Sequence, residues 1–88
     1  MTDRFEELRN EIAANDAEIV GAVNRRLRLV DELWRLKAER GDARLDPDRE
    51  RRLRDELARR NDGPLSEEGL ERLVDELLAL TKRELGGA

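Results

Sequence analysis

Apolar residues recur three and four apart along the first forty positions, with Phe5, Leu8, Ile12, Ile19, Val23, Val30 and Leu33 on one helical stripe that ends before Gly41. The β-branched and aromatic alternation of strands is absent, and Pro and Gly cluster at few places, so the expected fold class is all-α. Asp3 followed by Glu6 fits a capping box that opens a first helix at about 3–40. Asp46-Pro47-Asp48 supplies an N-cap acid, a proline at the first helical position and a second acid in the first turn, which predicts a second helix at about 46–60 with Leu53 and Leu57 inward. Asn61-Asp62-Gly63-Pro64 reads as a turn. Ser66 then caps a third helix at about 66–85, with Leu65 and Leu70 placed as a hydrophobic staple and Leu70, Val74, Leu77, Thr81 and Leu85 as its seam. Gly86-Gly87-Ala88 should fray. Residues 1–88 read as one domain without low-complexity segments.

The first helix forces a statement about assembly. At 1.5 Å per residue it would be about 57 Å long, whereas a compact globule of this chain length is roughly 30 Å across. Much of it must therefore pack on another chain. A plain coiled coil is a poor description, because Asn15, Arg26 and Lys37 all fall on the seam. Asn15 can serve to fix register between paired helices.

Arg26 and Lys37 stand where the pattern calls for Leu or Val. Eleven residues at 100° each bring them to nearly the same face, with roughly 16 Å of helix between their backbones, so two long side chains could close on one small anion. In the second helix Asp46 and Glu50 are i and i+4, and Glu50 continues through Leu53 and Leu57, so two carboxylates are expected to face inward. Buried charges without partners cost several kcal/mol, so these groups must neutralise one another as salt bridges, snorkel to solvent, or line a polar cavity that holds a ligand. Sixteen of the 18 basic residues are Arg, so a Lys on the seam suggests a compact, point-like donor. Arg9 lies about 25 Å along the helix from Arg26, too far for both to grip one small molecule from the same chain; it either pairs with Glu6 or Asp16 in solvent or joins a partner's site.

Composition narrows the chemistry. With 88 residues, 38% hydrophobic content and 45% charge, a self-contained core is hard to build. The absence of Cys and His removes thiol nucleophiles, disulfides, zinc fingers and His-based acid–base pairs. Eighteen basic against 22 acidic residues, dispersed among one another, argue against nucleic acid, as does the presence of only Phe5 and Trp34 as aromatics. No apolar run is long enough to span a membrane, and Met1-Thr2-Asp3-Arg4 has no signal pattern, so a cytoplasmic protein is expected. Neither metal-ligand spacing nor a Gly-rich phosphate loop is present, and no metal or organic cofactor is indicated.

The run Leu8-Arg9-Asn10-Glu11-Ile12, then Asp16, Asn24-Arg25-Arg26, Lys37 and Leu45-Asp46-Pro47-Asp48-Arg49-Glu50, resembles the all-α, AroQ-type chorismate mutases. The Asn61-Asp62-Gly63-Pro64-Leu65 turn resembles the one before their last helix, and the likeness covers nearly the whole chain in order. The resemblance implies an intertwined homodimer of three-helix chains, forming a helical bundle with two active sites, each completed by an arginine of the other subunit. It implies the pericyclic rearrangement of chorismate to prephenate, in phenylalanine and tyrosine biosynthesis, without covalent intermediate or proton transfer. Carried over by position, Arg26 and the partner's Arg9 would bind the substrate carboxylates, Lys37 would donate to the ether oxygen, Asp46 and Glu50 would fix the ring hydroxyl, Arg49 would orient the acidic groups, and Thr81 would lie near a carboxylate where the family often has Ser. Lys37, Arg26 and Glu50 form the implied catalytic set.

Two departures stand out. One turn after Thr81 the family commonly has Gln or Glu beside the ether oxygen, whereas this chain has Leu85, with Glu84 pointing about 100° away. Some short members with similar tails work poorly until the first enzyme of the shikimate pathway binds and reorders the C-terminus, and the resemblance makes an activating complex of that kind one candidate partner here. Asn15 stands where relatives are usually aliphatic. Within the same fold an isochorismate pyruvate lyase would use a similar cation-lined pocket, and outside it a non-catalytic helical dimerisation or regulatory module would explain inward charges as pairing determinants.

Overall fold

The computed structural model describes residues 3–86 as three α-helices, α1 (Arg4–Arg40), α2 (Pro47–Arg60) and α3 (Glu67–Thr81), followed by one π-helical turn (Lys82–Gly86). There is no strand among the described residues. Met1 and Thr2, and the last two residues of the expected frayed tail, Gly87 and Ala88, lie outside them.

Local chemistry sets the helix ends. Asp3 accepts from the Phe5 N–H and its carbonyl takes the first helical bond from the Glu7 N–H, but the Glu6 carboxylate does not accept from the Asp3 N–H, so the capping box is not completed. At the other end Gly41, at φ 74°, adopts the left-handed conformation that a Cβ disfavours, and the Gly41 and Asp42 N–H groups close back on the carbonyls of Ala38 and Lys37. Asp46 caps α2 through the Arg49 N–H, and Ser66 caps α3 through the Gly69 N–H. Asn61 holds the connecting turn, accepting from the Gly63 N–H and donating to the Leu65 carbonyl. Leu65 folds over Gly69, where a Cβ would come within 2.8 Å of its Cδ1, so the absence of a side chain at Gly69 makes room for it.

α3 packs on α2, and the π turn returns to α1. Buried apolar side chains are few: Leu70 and Val74 of α3, with Thr81 beside them as the buried polar residue. Along α1 the seam is open, with Phe5, Leu8, Ile12, Ile19 and Leu33 all exposed. The chain is accordingly a rod, 61 × 24 × 19 Å, with a radius of gyration of 16.8 Å against about 12 Å for a compact domain of this length. Its accessible surface of 7565 Å² compares with about 5,300 Å² expected for a folded monomer of this mass.

Candidate active site

Arg26 lies in the second half of α1, half-buried, and its Nη1 donates to the Thr81 Oγ1 at 2.5 Å. Thr81 in turn donates to the Leu77 carbonyl one turn back, at 2.8 Å, so its oxygen is oriented to accept from the guanidinium. The contact joins residues 55 apart in sequence and ties the end of α3 to α1.

Lys37, also half-buried, sits in the last turn of α1 and donates from Nζ to the Arg44 carbonyl at 3.1 Å in the α1–α2 loop. Arg44 turns its guanidinium over the Trp34 ring, 4.7 Å from the centroid. Neither Arg26 nor Lys37 has a carboxylate within ion-pair distance among the described residues, although the chain carries 22 acids. The salt bridges to Glu50 and Asp46 considered from the sequence are not formed.

In the single chain these two carboxylates are exposed rather than buried. Asp46 is exposed, and its side chain caps α2 by accepting from the Arg49 N–H. Glu50 is exposed and accepts from Arg54 Nη2 at 3.1 Å, one turn along α2, and α3 offers the same cation two further carboxylates, Glu71 at 2.6 Å and Asp75 at 2.7 Å. The hydrogen bonds to Asp75 and then Glu50 are the chief causes that raise the Arg54 guanidinium above its ordinary range. Arg54 was invisible as a site residue to the stripe argument, although its i+4 spacing from Glu50 is a readable signal.

Arg49 borders a shallow groove of about 440 Å³ along α2, shared with Arg52, Leu53 and Glu56, which contains neither Arg26 nor Lys37. Arg9 is exposed, 3.8 Å from Glu6 and stacked on Phe5 with 4.4 Å to the ring centroid. Leu85 is half-buried in the π turn while Glu84 is exposed, so the looser winding does not bring a carboxylate to the inner face. No cluster of acidic residues among those described could hold a metal ion, and no helix is long and apolar enough to cross a membrane.

Among the described residues, then, the site is an all-helical one in which a single long helix presents two cations without carboxylate partners, Arg26 against the end of α3 and Lys37 against the loop before α2. The family model described as chorismate mutase type II matches residues 8–84. The structure of chorismate mutase (form I) from Thermus thermophilus is similar at 33% identity and a TM-score of 0.85, with 90% of this chain and 99% of that chain covered. Form II from the same organism is similar at 31% identity and a TM-score of 0.88, with 96% of each chain covered. No curated protein matches. The chain belongs to the type II chorismate mutase family. It is an enzyme of the isomerase class, with the all-helical fold that its sequence pattern implies.

Proposed function

We infer that two copies of this chain form the working enzyme and rearrange chorismate to prephenate at sites built from both. The observation that carries the reading is the pair Arg26 and Lys37, half-buried on one helix without carboxylate partners. Half-buried cations left unpaired among so many acids are best neutralised by an anionic ligand. Arg26, steadied by Thr81, binds one substrate carboxylate as a bidentate pair. Arg9 of the second copy binds the other. Lys37 donates to the ether oxygen, where negative charge grows as the C–O bond breaks and the new C–C bond forms, with no proton transferred. Glu50, one oxygen engaged by Arg54, and the Asp46 backbone hold the ring hydroxyl, and Arg49 orients the acids around it. Catalysis is then restraint of a compact conformer plus a fixed positive charge at the departing oxygen.

The second copy is supported by surface area. The single chain exposes about 2,200 Å² more than a folded monomer of its mass, the scale of an obligate interface, and the excess is matched by the open apolar seam of α1. The same reading carries a cytoplasmic location. It also carries an activating complex with the first shikimate-pathway enzyme, for which Leu85 on the inner face of the π turn supplies the motive.

Loss of chorismate absorbance, with prephenate confirmed as product, tests the activity, and Lys37→Ala is expected to abolish it. Mixing inactive Arg9→Ala and Lys37→Ala chains and allowing exchange should restore about a quarter of wild-type activity, because each heterodimer regains one intact site. No recovery on mixing, with exchange verified, refutes the shared site.

A further inference from the structure

We propose that Arg44 and Trp34 are positioning residues for the Lys37 ammonium; the proposal rests on the assignment of Lys37 to the ether oxygen given above. A lysine is a point charge on four flexible carbons, and Lys37 has no ion pair among the described residues to hold it. What holds it is a main-chain carbonyl, that of Arg44, 3.1 Å from Nζ. A carbonyl on an exposed six-residue connection, 41–46, is only as fixed as the loop that carries it.

The loop is fastened at its middle by its own side chain. Arg44 lies over the Trp34 ring at 4.7 Å, and Trp34 precedes Lys37 by three residues on the same helix, one turn away on the same face. Trp34, Arg44 and Lys37 therefore close a small ring of contacts: indole to guanidinium, through the Arg44 backbone, and carbonyl back to ammonium. At the loop's start, Gly41 and Asp42 are bonded to the last turn of α1, and at its end Asp46 is committed to capping α2. The stack is thus the tie that sets the carbonyl between these two anchors. Because the carbonyl takes only one of the three ammonium N–H groups, the tie aims the lysine and leaves two donors for a ligand oxygen.

The test uses the full chain. Trp34 is the sole tryptophan, so its emission reports the stack without substrate. Arg44→Ala and Lys37→Ala should each shift that emission in the same direction, and the double variant should shift it no further. In turnover, Arg44→Ala should lower kcat by about two- to fivefold, the scale of an exposed cation–π contact, with KM and helicity unchanged. Trp34→Leu should match it, Trp34→Phe should retain most of the rate, and Trp34→Leu with Arg44→Ala should fall no lower than either alone. Wild-type kcat in Arg44→Ala beside an inactive Lys37→Ala, or losses that multiply in the double variant, would overturn the positioning role alone. Full activity of Lys37→Ala would instead overturn the assignment of the lysine on which it rests.

Discussion

Replacing Arg54 by Met keeps the aliphatic stem and removes one guanidinium that serves three carboxylates. In the structure Nη1 reaches Glu71 at 2.6 Å, and Nη2 reaches Asp75 at 2.7 Å and Glu50 at 3.1 Å. The Arg54 side chain is 22% exposed, whereas its three partners are about half in water or more, so solvent screens each pair. Exposed pairs are worth roughly 0.2–1 kcal/mol, and three short ones sharing a planar fork across the α2–α3 contact should total about 1–2 kcal/mol. For a domain of this size that corresponds to a fall in Tm of roughly 5–10 °C, read by circular dichroism at fixed chain concentration. The difference should shrink but persist at about 1 M salt, where the Debye length is about 3 Å, because the pairs are in direct contact and Arg54 is largely buried. Arg51→Met is the control, because Arg51 pairs only with Asp48 at 3.2 Å, within the same helix and well exposed. If Arg54→Met costs no more than Arg51→Met at low salt, the three-carboxylate junction does not hold α2 to α3 and the reasoning fails.

Thr81→Val removes the acceptor that orients Arg26 at a buried position; chorismate KM should rise about tenfold with helicity intact, and steady-state kinetics at varied substrate would expose an unchanged KM. The Glu56 carboxyl is held below its ordinary value by hydrogen bonds from Arg60 and then Arg59. Its unfolded form therefore binds the proton more readily, so this contribution to stability is present above the ordinary glutamate value of about 4.3 and is lost as pH falls below it. Urea midpoints of the wild type and Glu56→Gln should converge toward acid pH, and parallel curves would contradict this. Leu85→Gln places an amide donor on the half-buried side of the π turn and is expected to raise kcat without added partner; an unchanged or lower rate would show that Leu85 is not what limits the isolated enzyme.

What was legible from the chain alone is what depends on near neighbours. Asp46 and Ser66 cap their helices through N–H groups three residues on, a contact the local sequence contains in full. Arg26 and Lys37 stand out because their places in a 3-4 repeat are decided within one helix, and the length of that helix already exceeds any core this chain could fold around it. The same local logic misled at Glu6, where Asp3 caps without it, and it left open what Asp46 and Glu50 meet, because the stripe gives a direction but says nothing of what waits across the groove.

Only the tertiary structure could decide the partners. Arg26 meets Thr81 across 55 residues because the end of α3 and the π turn that follows it lie against α1. Glu50 pairs with Arg54 one turn on in α2, and α3 adds Glu71 and Asp75 to the same guanidinium, a meeting of three carboxylates that only the α2–α3 packing decides. The Lys37 ammonium goes to a loop carbonyl that no spacing rule marks, since its place depends on Arg44 stacking on Trp34. Periodicity determined the helices and the positions of the unpaired cations, because both follow from backbone geometry over a few turns. Packing determined what each charge touches, because that is settled by chain segments tens of residues away.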